Sequence, residues 1–223
     1  MDLYQLFERC INSEYKQVER ASNYSLRRHG NTLYIFFEGS RGDDDWDVNL
    51  RFPAKSYKRM GKVIWFAHRG FLDAWKQTEP FLADIIMDKS IKKMIISGYS
   101  HGAAIALLCH EYVWFNRPDL QGTLEGYGFG CPRVLWGVRS RSLKARWESF
   151  YVIRNIDDAV THLPPSALGY HHVGSIIEIG KRGKYSSIDA HRQNNILSEL
   201  NDLKEAITPI VYFVSAAQQS TTT

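Results

Sequence analysis

The spacing of apolar residues changes several times along the 223 residues of the chain. Leu3, Leu6, Phe7, Cys10 and Ile11 recur at helical spacing, which predicts an amphipathic helix at the start. In "YSLRRHGNTLYIFFEGS", His29, Gly30 and Asn31 form a turn signal between two strand-like stretches, the second spanning Leu33 to Phe37. Lys62 to His68 reads as another strand. Gly70 to Asp88 reads as a helix in which Pro80 is placed to introduce a kink. Met94, Ile95 and Ile96 form a short apolar run that reads as a buried strand. The alanine-rich stretch from Ala103 to Phe115 then reads as a helix stopped by Asn116, Arg117 and Pro118. Leu124 to Gly130, Ser149 to Ile153 and His172 to Gly180 read as three further strands, and a last helix beginning near Asp189 carries Ile196, Leu197, Leu200 and Leu203. Strands alternating with helices predict an α/β fold: a mostly parallel central sheet, antiparallel at its start and flanked by helices.

Composition narrows this picture. The chain is 44% hydrophobic and 23% charged, which fits one globular domain over residues 1–223 with a large core. The formal charge is only +4, and "KSYKR" (Lys55 to Arg59) and "KRGK" (Lys181 to Lys184) read as a solvated loop and a hairpin turn. No long basic stripe with interleaved aromatics is present, so the expected partners include no nucleic acid. Cys10, Cys109 and Cys131 are odd in number and lack C-x-x-C spacing, so they read as buried thiols of a reducing compartment. Charges scattered through "MDLYQLFERCINSEYKQVERA" leave no apolar core for a secretory signal, and the expected location is cytoplasmic. No run of about eighteen apolar residues predicts a membrane span. The sequence leaves the oligomeric state open.

The chemistry begins at Gly98, Tyr99, Ser100, His101 and Gly102, a G-x-S-x-G pentapeptide between the apolar run and the alanine-rich run. This is the nucleophile elbow of the α/β-hydrolases, a strand, a sharp turn at serine and a helix. Side chains two positions before and after the serine collide where strand and helix approach, so glycine is required at both. The helix N-terminus beneath the serine offers free N–H groups to a developing oxyanion.

A serine nucleophile needs an acid and a base, which in α/β-hydrolases follow it in the order acid, then histidine. The strand ending near Ile153 leads into the adjacent acids Asp157 and Asp158, just beyond a strand end where site loops gather. His162, His171, His172 and His191 lie further on. Position alone leaves both aspartates and all four histidines open, with His191 favoured because it follows all the strands.

Several further motifs resemble the class 3 lipase family. They are "LYIFFEGS", "DWDVNL" (Asp45 to Leu50), "HRGFLDAW" (His68 to Trp75), "GFGCPRV" (Gly128 to Val134), "DAVTHLPP" (Asp158 to Pro165) and "GYHHVGSIIEIG". Each is weak alone; their order is specific, and they span about Leu33 to Leu200. The resemblance implies Ser100 as nucleophile, Asp158 as acid, with Val160, Leu163 and Pro164 fixing the register, and His191 as base. It implies a structural role for His172. It also implies an oxyanion hole from the N–H groups of Ser40 and His101, with the Ser40 hydroxyl as a third donor. Glu38, His101 and the pair Leu135 and Trp136 depart from the family pattern without removing a catalytic group.

The implied activity is cleavage of carboxylic esters of small-molecule or lipid substrates through an acyl-enzyme, with no metal or cofactor. A phospholipase or acyltransferase with the same triad, and an inactive lipid-binding module, are the rival readings. The family places an apolar lid after the oxyanion residue, but here "SRGDDDWDVNL" (Ser40 to Leu50) puts three consecutive aspartates there. An acidic flap gains nothing from oil. It predicts a site open to soluble short- to medium-chain esters without interfacial activation, unless "FPAKSYKRMG" (Phe52 to Gly61) serves as the lid.

Overall fold

A computed structural model describes residues 2–19, 22–40, 53–59, 62–137 and 140–205. Within them the first helix, α1, spans Leu3–Ile11, with the Asp2 carboxylate accepting from Gln5 N at 2.7 Å as an N-cap. Strands β1 (Tyr24–His29) and β2 (Thr32–Phe37) form the expected antiparallel hairpin. Beyond β3 (Ala54–Arg59) and β4 (Lys62–His68) comes helix α2 (Arg69–Met87), with Pro80 inside it. Strand β5 (Lys93–Tyr99) runs through Ser100 into helix α3 (His101–Asn116). Then follow β6 (Leu124–Phe129), β7 (Leu135–Trp136), β8 (Phe150–Asn155), β9 (Tyr170–His171) and β10 (Ser175–Ile179). Residues 193–205 form a last helix, α4.

The described strands form two sheets. The larger has the order β1-β2-β5-β6-β8-β10, and every pair after the first hairpin is parallel. Its central strands are buried on both faces, which explains their nearly continuous apolar runs. Alternation divides them cleanly. Ile35, Phe37, Met94 and Ile96 face α2 and α3, whereas Phe36, Ile95, Phe129 and Ile153 face α1 and α4. Helix α3 has almost no polar side because Gly102 to Cys109 are all buried, packed between the sheet and α2. This is the α/β-hydrolase fold.

The smaller sheet, β3-β4-β7-β9, is antiparallel throughout; of its strands only Lys62–His68 was anticipated. Lys55 to Arg59, expected as a solvated loop, lies in β3, where pairing with β4 and burial of Tyr57 hold it. Its inner face carries Tyr57, Trp65 and Ala67 into the α2–α3 core, with the first two rings stacked at 4.1 Å. Two of its strands are two residues long, too short to show a period of their own. The strand expected over His172 to Gly180 forms over a shorter stretch. Tyr170 and His171 join the smaller sheet, and the chain crosses through His172, Val173 and Gly174 before Ser175–Ile179 pairs with β8.

The last helix also differs from expectation. Asp189–His191 is a single 3-10 turn, and Arg192 adopts an extended conformation (φ −65°, ψ 140°) before α4 begins. That break frees His191 from the helix direction. Segment 41–50, on which the lid expectation rests, lies outside the described residues, as do parts of 52–61.

Candidate active site

Ser100 has φ 56° and ψ −120°, and it is the one non-glycine residue with positive φ among the described residues. Such a conformation costs on the order of 1–3 kcal/mol and persists only when the surroundings enforce it. The surroundings do so. Ser100 N donates to Phe129 O at 2.9 Å, and its carbonyl accepts from Ala103 N at 3.0 Å. A Cβ on Gly98 would lie 2.2 Å from Gly102 O, and one on Gly102 would lie 2.3 Å from Phe37 O. Both elbow glycines are therefore there because backbone occupies the space of their side chains.

The tight turn delivers the Ser100 hydroxyl to His191, whose Nε2 lies 2.9 Å from Oγ. The other ring nitrogen, Nδ1, is 2.8 Å from Asp158 Oδ2. An ionised carboxylate only accepts, so Nδ1 carries the proton and Nε2 is left to accept from the serine hydroxyl. The three side chains are all buried: Ser100 is 2% exposed, His191 7% and Asp158 0%. Asp158 sits just past the end of β8, its N–H held by Asn155 O at 3.0 Å. Its Oδ1 accepts from Val160 N at 2.9 Å, and its carbonyl accepts from the Thr161 hydroxyl at 2.8 Å. Val160, read only as a register mark in the sequence, thus fixes the carboxylate directly.

The competing candidates are used elsewhere. Asp157 turns away and accepts from Gly183 N at 2.7 Å, tying down the loop after β10. His162 is exposed and lies 3.3 Å from the Arg133 guanidinium. Partial loss of solvent around the ring, reinforced by the charges of Arg154 and Arg133, lowers its pKa. His171 pairs with Leu135 inside the smaller sheet. His172 donates from Nε2 to Thr161 O at 2.7 Å, and burial pushes its pKa down to about 4. It therefore buttresses the loop that carries Asp158.

His101 turns its ring toward the Ser22 hydroxyl at 3.3 Å and meets Phe71 edge-on at 5.5 Å. As the first residue of α3 its N–H has no acceptor within the helix. Gly102 packs against the carbonyls of Phe37 and Glu38, which brings the chain leaving β2 against the elbow. Gly39 and Ser40 then line a pocket of about 250 Å³ together with Ile11, Tyr15, Glu38, Tyr99 and Gln193. Glu38 accepts from Asn23 Nδ2 at 2.7 Å.

Two residues at the site were not singled out as functional in the sequence. Gly130 has φ +59°, and a Cβ there would fall 2.7 Å from His191 Cε1; the glycine leaves room for the imidazole. Its signal lay in the "GFG" of a family motif. Tyr99 donates its hydroxyl to His191 O at 2.7 Å, and nothing in G-x-S-x-G demands an aromatic residue there. Among the described residues no cluster of His, Cys, Asp and Glu is arranged to hold a metal ion.

Fold and site together have the form of an α/β-hydrolase with a serine at a nucleophile elbow. Comparison with known proteins makes the class specific. The family model described as Lipase (class 3) matches residues 34–168, well over half of the chain, which includes Ser100 and Asp158 but stops short of His191. The chain belongs to the class 3 lipase family. It is 30% identical over 148 residues to a lipase of Rhizomucor miehei, covering 64% of this chain and 40% of that protein. It is 26% identical over 144 residues to the secreted mono- and diacylglycerol lipase 1 of Fusarium solani, covering 63% and 41%. The aligned part therefore spans only about two fifths of these relatives. Among solved structures, the triacylglyceride lipase of Rhizomucor miehei superposes with a TM-score of 0.66 at 27% identity, covering 75% of this chain and 66% of that one.

These relatives overturn the cytoplasmic expectation. The proteins from Fusarium solani and Malassezia restricta are named as secreted lipases. The cysteines do not rescue it. All three are free and buried, and burial raises their thiol pKa values, that of Cys10 to about 11. Burial accounts for inert thiols in any compartment. No described helix is long and apolar enough to cross a membrane.

Proposed function

We propose that this chain is a serine carboxylester hydrolase acting on short- to medium-chain acyl esters, with Ser100 as nucleophile, His191 as base and Asp158 as orienting acid. One observation carries the reading: a single buried imidazole bridges the strained elbow serine at 2.9 Å and a fully buried carboxylate at 2.8 Å. His191 Nε2 takes the hydroxyl proton as Ser100 Oγ attacks the ester carbonyl. Asp158 holds the tautomer and stabilises the imidazolium. The N–H groups of Ser40 and His101 stabilise the oxyanion; one such donor is worth about 2.7–4 kcal/mol of barrier. His191 then protonates the departing alcohol, and water repeats the sequence on the acyl-enzyme. Residues 1–223 act in this reading as one domain, supported by α1 and α4 packing on the same face of the larger sheet.

The acidic run Asp43 to Asp45, which follows Ser40 in the sequence and is poorly suited to an oil surface, is what supports a soluble short- to medium-chain ester as substrate. The test is hydrolysis of p-nitrophenyl esters from acetate to palmitate by the wild type and by Ser100→Ala and His191→Ala. The expected result is a rate that falls beyond medium chain length and is lost in both variants, since the two groups act as a unit. Activity persisting in Ser100→Ala sinks the hydrolase reading. A preference for palmitate sinks the chain-length reading alone.

A further inference from the structure

The general base in this reading is presented by a short turn, not by a helix. His191 ends a single 3-10 turn, its N–H held by Ile188 O at 3.1 Å, and the chain is extended at the next residue. An isolated turn must fix about six dihedral angles for its first hydrogen bond, so it gains little stability from its own backbone. The bond from Asp158 holds Nδ1 but does not by itself set the tilt of the ring about that contact. Catalysis by a base needs Nε2 held within hydrogen-bond reach of the serine throughout turnover.

Tyr99 supplies two further constraints. Its hydroxyl donates to the carbonyl of His191 at 2.7 Å, a backbone contact across 92 positions of sequence. Its ring stacks on the imidazole, with centroids 5.2 Å apart and planes 25° apart. Tyr99 is itself held. Phe7 of α1 meets it edge-on at 5.8 Å, and Gly39 packs so closely that a Cβ there would fall 2.6 Å from Tyr99 Cδ1. Burial, aided by the charge of Asp158, raises the phenol pKa, so the hydroxyl remains a donor wherever the imidazole works.

We propose that Tyr99 is a positioning residue for His191: its hydroxyl anchors the turn that carries the base, and its ring fixes the tilt of the imidazole toward Ser100. This rests on the reading of Ser100, His191 and Asp158 as the catalytic groups. The residue between glycine and serine in the elbow thereby couples the nucleophile to its base through one side chain. Asp158 holds the imidazole from one side, and Tyr99 from its face and its backbone.

The test uses Tyr99→Phe, which keeps the ring and removes the hydroxyl, and Tyr99→Leu, which removes both. Steady-state kinetics on p-nitrophenyl butyrate, the labelling rate of Ser100 by a fluorophosphonate and thermal unfolding are measured on each. A displaced catalytic group costs rate rather than ground-state binding. Tyr99→Phe is expected to lose about tenfold in kcat with KM within about twofold, its unfolding temperature lowered by no more than a few degrees. Tyr99→Leu is expected to lose about a hundredfold, with labelling slowed in step. Both variants within twofold of wild-type kcat overturn the proposal, as does a loss carried by KM or a loss that follows the unfolded fraction. If Ser100→Ala retains activity, the triad reading fails and this proposal falls with it; if only the Tyr99 variants are indifferent, the triad stands and this proposal alone is wrong.

Discussion

Asp158 has both carboxylate oxygens committed, one to the His191 imidazole at 2.8 Å and one to Val160 N at 2.9 Å. Its neighbour Asp157 reaches the other way, to Gly183 N at 2.7 Å. These opposite orientations predict opposite phenotypes. Asp158→Asn presents an amide N–H where the imidazole N–H must donate, and kcat is expected to fall by several orders of magnitude. Asp157→Asn keeps an acceptor for Gly183 and is expected to retain activity within a fewfold of wild type. Purified variants assayed side by side decide it; reversed phenotypes would make Asp157 the orienting acid. The sequence showed two equivalent loop aspartates. Only the family register chose between them, because the direction of a side chain leaving a strand end depends on the turn that follows.

At the scale of elements, the elbow joins β2, β5 and α3 through backbone contacts too close for a side chain. Gly102 lies in the first turn of α3, where a Cβ would sit 2.3 Å from Phe37 O and 2.5 Å from Glu38 O. Neither carbonyl can retreat without moving β2. Gly102→Ala is therefore expected to destabilise the fold by at least about 2–3 kcal/mol, the upper range for overpacking, and to displace the chain leading to Ser40. The urea midpoint and the activity of the folded fraction test both effects, and a variant of wild-type midpoint would show that the junction is looser than described. The strand–turn–helix order was legible because an apolar run, two glycines and an alanine run punctuate the chain in succession. Of the smaller sheet, only the strand Lys62 to His68 was legible. Its strands pair across long separations, Phe66 with Trp136 and Leu135 with His171, and two of them lack the length to carry alternation.

For the whole molecule, two buried neutral histidines set a pH dependence. His172 is pushed by burial down to about 4 and His110 to about 3, both from an ordinary value of 6.5. The unfolded chain binds these protons below its own pKa while the folded chain does not, so acid favours unfolding. Their contribution to stability is complete above about pH 6.5 and is lost as pH falls from there toward about 4 for His172 and 3 for His110. Urea midpoints measured from pH 7.5 to 4.5 are expected to fall with acidity, and less steeply in His172→Asn. An unchanged slope in that variant would remove His172 from the account. At the same scale, relatives named as secreted corrected the cytoplasmic expectation. Charge scatter in one stretch of sequence and three unpaired cysteines describe that stretch and those thiols, and they do not report where a protein goes.

The sequence by itself determined the strands of the larger sheet and the helices between them, because burial on both faces, on one face or on none leaves its own period in the pattern of apolar residues. It determined the elbow for a steric reason, since only glycine leaves room for a strand and a helix meeting at one serine. Tertiary structure sets against the imidazole the same carboxylate that the family register had chosen, and it alone decided that a 3-10 turn rather than a helix presents His191 and that Tyr99 lies against it. Ser100, Asp158 and His191 stand 58 and 33 positions apart in sequence and within hydrogen-bond distance in the fold. Local spacing carries no information about such contacts. They are set by how β5, β6 and β8 align side by side, and by where the chain turns after each of them.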